Sequence, residues 1–131
     1  MTKARTLVEE CLALTRELDY KEGMADALCL LGQFVLQQGD AVMAYTLEEE
    51  SLLLFRAVGD RRGTGRVLFF LAKVLTAQGD EMAARAMYEK SLAAAREVDD
   101  KENVASCLEG LAEVATTQGQ PVWAAQLWGL A

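Results

Sequence analysis

The chain predicts an all-α solenoid, a stack of antiparallel helix pairs, on three observations. Gln38-Gly39-Asp40 returns as Gln78-Gly79-Asp80 and, changed at its last residue, as Gln118-Gly119-Gln120. On that 40-residue period, without a gap, eight columns are identical in all three full units: Ala4/Ala44/Ala84, Glu9/Glu49/Glu89, Leu12/Leu52/Leu92, Arg16/Arg56/Arg96, Leu28/Leu68/Leu108, Leu31/Leu71/Leu111, Gln38/Gln78/Gln118 and Gly39/Gly79/Gly119. A single proline, few aromatics and abundant Ala, Leu and Glu favour helix over strand. Periods of roughly 20 to 50 residues belong to stacked supersecondary units. The 131 residues therefore divide into units 1–40, 41–80 and 81–120 and a partial unit 121–131, all within one repeat domain.

Each unit reads as two helices, near 2–18 and 22–37, 42–58 and 62–77, 82–98 and 102–117. In the middle unit Ala44, Leu47, Ser51, Leu52 and Phe55 recur at helical spacing and form one buried stripe. Gly59 ends that helix in the left-handed conformation, and Asp60 caps the next. A second stripe runs through Val67, Leu68, Leu71, Val74 and Leu75, stops at Gln78-Gly79, and Asp80 caps the third unit. A seventh helix is expected from Pro121, whose fixed φ and missing N–H suit a first helical turn. Helix pairs joined by such short turns bury both faces only by stacking on their neighbours. The small columns Ala44/Ala84 and Ser51/Ser91 let helix axes approach, and the Leu columns fill the gaps between them. Cys11 shares the Ser51/Ser91 column and Cys107 the Ala27 column, so both are expected inside as inert small residues.

Composition narrows the function classes. A net charge of −7 argues against a phosphate backbone or an anionic membrane surface. Three scattered cysteines form neither a disulfide frame nor a zinc spacing, and no metal or cofactor is expected. The chain has no histidine, hence no imidazole base. Glu9-Glu10 and Glu48-Glu49-Glu50 read as solvated helix faces, with no apolar pocket to raise a carboxyl pKa. Asp99-Asp100 reads as a turn and cap, and Arg61-Arg62 as a local basic spot. No enzyme signature emerges, and the expected setting is soluble, reducing and cytoplasmic.

Leu31-Gly32, Val35, Gly39-Asp40, Ala44 and Ser51-Leu52 together resemble the tetratricopeptide repeat signature. A second copy runs Leu71-Ala72, Leu75, Gly79-Asp80, Ala84, Tyr88, Ser91-Leu92, and a third runs Leu111-Ala112, Ala115, Gly119-Gln120, Ala124, Trp128, Ala131. Tyr88 and Trp128 stand where that family packs an aromatic ring, whereas Glu48 and Val8 do not, so Glu48 is expected tilted to solvent or paired with an arginine. The 40-residue period also resembles the long-helix arrays of kinesin light chain, bacterial signalling ATPases and transcriptional activators.

The resemblance implies a right-handed superhelix whose first helices line a concave groove. It assigns to that groove Asp26, Cys29, Gln33 and Leu36, then Arg66, Phe69, Lys73 and Thr76, then Ser106, Glu109, Glu113 and Thr116. The spacing i, i+3, i+7, i+10 puts each set on one helix face. Of Phe69 and Phe70, one ring is expected in the core, leaving Phe69 on the groove wall between Arg66 and Lys73. The implied function is a non-enzymatic interaction module for a peptide or partner protein, Phe69 taking an apolar side chain and Arg66 and Lys73 acidic groups. Two other readings are an effector-sensing segment of a bacterial regulator and a self-associating structural segment. The latter rests on Val122, Trp123, Leu127, Trp128 and Leu130, an uncapped apolar end suited to a homodimer or to continuation of a longer array.

Overall fold

The same few residues write most of the described helix ends, Tyr20 before the second helix being the exception without a side-chain cap. Asp40, Asp60, Asp80 and Asp100 each accept a hydrogen bond from the backbone N–H three residues on, at 3.0, 2.9, 3.2 and 3.4 Å. Gly39, Gly59 and Gly79 take positive φ (90°, 74° and 81°) where helices stop, and Asp19 and Asp99 fill the Gly59 column at 53° and 56°. Gly supplies that conformation without strain, and Asp tolerates it better than most residues.

The computed structural model describes residues 2–117 of the chain. Six helices follow: α1 Thr2–Glu17, α2 Lys21–Gln37, α3 Ala41–Val58, α4 Arg61–Ala77, α5 Glu81–Glu97 and α6 Lys101–Thr117. Each lies within about a residue of its expected span, and no strand occurs among the described residues. The seventh helix expected from Pro121 lies outside them. Among the described residues close contacts run between neighbours: each helix packs on the next, and α2 with α4 and α4 with α6 also touch. The closest pairs are α2–α3 and α4–α5. This is a helical-repeat solenoid.

The core forms three clusters strung along the stack. One centres on Leu28, Leu31, Val35 and Ala44, one on Cys29, Phe55 and Val67, and one on Tyr88, Leu92, Cys107 and Leu111. The second stripe faces inward throughout, Val67, Leu68, Leu71, Val74 and Leu75 all being buried, whereas in the first Ala44, Ser51 and Phe55 are buried and Leu47 and Leu52 half-buried.

Within the closest pairs the small columns perform a definite task. The Ser51 hydroxyl donates to the Ala25 carbonyl at 2.7 Å, and Ser91 to the Gly65 carbonyl at 2.6 Å, both 26 residues back. Ser91 also accepts from Asn103 Nδ2 (3.0 Å) and lies 3.1 Å from Cys107 Sγ, so the second joint holds a buried polar cluster.

Two expectations are corrected here. Cys11 is exposed on α1, which among the described helices packs closely on α2 alone. Glu48 is neither tilted to solvent nor paired with an arginine. It is 1% exposed and points at α2, where a Cβ on Gly32 would stand 2.6 Å from its Oε2. The helix register that buries Tyr88 one unit later buries Glu48 as well.

Candidate functional site

The groove begins with what α4 presents on the side away from its Leu stripe. Arg66, Phe69, Lys73 and Thr76 share that face, and α6 lies alongside with Ser106, Glu109 and Glu113. Phe69 lies between two cavities. One, of about 150 Å³, is lined by Arg66, Phe69, Phe70, Glu102, Asn103 and Ser106. The other, of about 230 Å³, is lined by Phe69, Lys73, Ser106, Glu109, Gly110 and Glu113. A third, of about 60 Å³, continues past Thr76, Tyr88 and Glu113. Seven of the eight groove positions expected on α4 and α6 thus line one continuous run of cavities, while Thr116 lies exposed beyond it.

Phe69 is fixed by its neighbours. Its ring meets Phe70 edge-on at 5.3 Å and Tyr88 at 5.8 Å, and Lys73 Nζ sits over its face at 5.6 Å. Aromatic and cation–π contacts of this geometry hold a ring in place while leaving an edge accessible. The expectation that one phenylalanine would enter the core is revised: both are half-buried, Phe69 against the Tyr88 cluster and Phe70 against the Phe55 cluster. Each ring seals the edge of a different core cluster.

Arg66 is anchored rather than free. Its Nε and Nη2 donate to the two oxygens of Asp100 at 2.9 and 3.2 Å, and Asp100 is 2% exposed. The hydrogen bond from Arg66 comes first among the causes holding the Asp100 carboxyl below the usual carboxylate range, and it pushes the arginine up in turn. Arg62 adds a second cation 3.5 Å from Asp100, and Arg61 pairs with Glu97, so the basic spot is consumed at the joint between α4 and α5–α6. Asp100 caps α6 as expected; its pairing with Arg66, 34 residues away, is what sequence reasoning missed.

The α2 face differs. Asp26 is exposed, and partial burial with Asp60 and Glu22 nearby pushes its carboxyl up. Gln33 and Leu36 are half-buried. Cys29, expected on the groove, is 8% exposed and packs with Phe55 and Val67, because α2 rolls its thiol toward Glu48. Burial, the neighbouring Glu48 and the apolar surroundings push that thiol up, away from nucleophilic use. Gln33 Nε2 donates to its sulfur at 3.7 Å. No cavity among those described joins the four α2 positions to the α4–α6 run.

Glu48, which lies against the Cys29 thiol, also departs far from its ordinary range. Burial raises its carboxyl from 4.5 to about 8 against a smaller opposing pull from the Cys29 thiol, and its Oε1 has no hydrogen-bond partner. It sits under α2 and lines none of the described cavities. No described group of three acidic or cysteine side chains is placed to hold a metal ion, and no described helix is long and apolar enough to cross a membrane. The self-association residues Val122, Trp123, Leu127, Trp128 and Leu130 lie outside the described residues.

Stacked helix pairs presenting a lined groove define a class of binding scaffold. The tetratricopeptide repeat family model matches residues 23–97 and again 64–127, together most of the chain, which therefore belongs to the tetratricopeptide repeat family. Repeats of this family mediate protein–protein interaction and are generally non-catalytic. No curated protein matches the chain.

Proposed function

We propose that this chain is a non-enzymatic interaction module that holds an extended peptide along the α4–α6 groove. The observation that carries this reading is Phe69, half-buried, braced by Phe70, Tyr88 and Lys73, and shared by the two cavities of the groove. A braced aromatic edge at the centre of a recess is the usual form of an interaction hot spot. Lys73 supplies a charged contact beside it. The carboxylate-bound Arg66 orients the wall instead of offering a second free cation. The three free cysteines support a reducing, cytoplasmic setting. The 40-residue period supports a place within a longer array of the kind found in bacterial regulators.

Affinity capture from a bacterial lysate with the chain, Phe69→Ala and Lys73→Glu as parallel baits tests the groove. A specific partner should drop at least tenfold in recovery on Phe69→Ala at unchanged helicity, and less on Lys73→Glu. Equal recovery on all three baits would remove the groove from the reading.

A further inference from the structure

On the face of α4 opposite Phe69 lies a second recess. Residues two apart on a helix are about 200° apart, so Leu68 and Leu71 leave α4 on the far side from Arg66 and Lys73. There α3 and α5 make no close backbone approach, and between them opens an apolar furrow of about 270 Å³, the largest of the described cavities. Leu68 and Leu71 form its floor, Leu52 and Met87 its walls, and Leu53 on its rim is 67% exposed. Tyr45 and Glu49 close one end and satisfy each other, their hydrogen bond pushing the tyrosine up.

The furrow also carries two cations where the repeat pattern elsewhere carries an ion pair. Between α1 and α3, Arg16 bridges to Glu50 at 3.4 Å. One unit on, those columns are Arg56 and Lys90, both lining the furrow. Neither has an ion-pair partner among the described residues. Like charges placed across a recess disfavour each other and favour an anion between them. In a chain of net charge −7 this is a local positive site beside exposed leucine.

We infer that the α3–α5 furrow is a second docking site, distinct from the groove, for an acidic segment of a partner protein that carries a bulky apolar side chain next to an Asp or Glu. The apolar side chain packs over Leu53 and Met87, and the carboxylate sits between Arg56 and Lys90, completing the bridge that Arg16 and Glu50 make one unit earlier. Recognition of this kind pairs an apolar anchor with a charge-assisted hydrogen bond.

A random peptide display library selected on the chain and counter-selected on Lys90→Glu tests this. Lys90→Glu recreates the Arg–Glu pair already present between α1 and α3, so the fold should hold, which circular dichroism checks. The expected survivors are acidic and apolar, bind the chain at least tenfold more tightly than Lys90→Glu or Leu53→Ala, and bind Phe69→Ala unchanged. Failure to select any discriminating peptide, survivors without acidic residues, or survivors that lose binding on Phe69→Ala would each overturn the site. Dimerisation of the chain abolished by Lys90→Glu in sedimentation would also overturn it, by making a second copy the occupant. The groove reading stands or falls separately, on Phe69→Ala alone.

Discussion

Glu48 and Tyr88 occupy the same column of adjacent units, each 1% exposed, yet one is a carboxyl group and the other a ring. Around Tyr88 the site is complete. Its ring packs on Ala72 and Leu111, touches Phe69, and lies over Gly110, where a Cβ would stand 2.5 Å from it. Around Glu48 the partners are small: Gly32 replaces Ala72, Cys29 replaces Phe69, and one carboxylate oxygen has no partner. Burial here is imposed by the repeat register, and chemistry must adapt to it. The unit with the ring builds the proposed groove, and the unit with the carboxyl closes its thiol away.

The largest expected effect follows from that contrast. Because the folded pKa of Glu48 lies near 8 and its ordinary value is 4.5, the folded state holds a proton that the unfolded state has released throughout that window. The Glu48 contribution to stability should therefore fall as pH rises from about 4.5 to 8, by about 5 kcal/mol, and level off above; the raised Cys29 and Cys107 thiols continue the fall beyond pH 9. Asp100 works in the opposite sense: its depressed pKa contributes stability above its ordinary 3.8 that is lost as pH falls further. Glu48→Met, an apolar side chain of similar reach, should flatten the fall between pH 5 and 8 and raise stability at pH 8 by several kcal/mol, read by urea unfolding at each pH. A curve that keeps its slope in Glu48→Met would assign the titration to another group.

A smaller effect separates the two serine joints. Ser91→Ala removes a donor to the Gly65 carbonyl and strands Asn103 Nδ2, so a loss of about 2–3 kcal/mol is expected. Ser51→Ala removes one hydrogen bond to the Ala25 carbonyl, for about 1 kcal/mol. Equal losses in paired chemical denaturation would mean that the Asn103 cluster adds nothing. The smallest contrast sharpens the glycine pair. Gly110→Ala forces the wedged Tyr88 ring to shift and should cost about 1–2 kcal/mol more than Gly32→Ala, whose methyl meets the end of a flexible carboxyl side chain. Thermal melts of the two variants at pH 6, where Glu48 is protonated, decide it.

Helix positions and turns were legible because the punctuation is repeated and local. Gly59, Asp60 and Asp80 each act through residues within one turn, and the leucine columns report the buried stripe directly. That each set on α4 and α6 shares one helix face was legible from spacing; that this face lines a groove was implied by the resemblance alone. Glu48 was not legible, because a carboxyl group carries a solvent expectation that only the register of the next unit overrides. Cys29 failed with it, its fate decided by the Glu48 and Gly32 that lie against it. Arg66 looked available because its partner Asp100 stands 34 residues away, a distance that only the superhelical step relates. Cys11 fell on the right column, but among the described helices α1 packs closely on α2 alone and leaves that column exposed.

Each of the six described helices touches only its neighbours one or two places along the chain. Contacts of such short sequence span carry a small loop-closure penalty and favour rapid formation. The chain can therefore acquire its structure in the order of its synthesis. The α2–α3 hairpin has all its internal partners once Val58 has been added, and Ser51 can close on the Ala25 carbonyl before α4 exists. Each later hairpin then settles on a finished surface, so a nascent array need not wait for its far end before sheltering its leucines from aggregation.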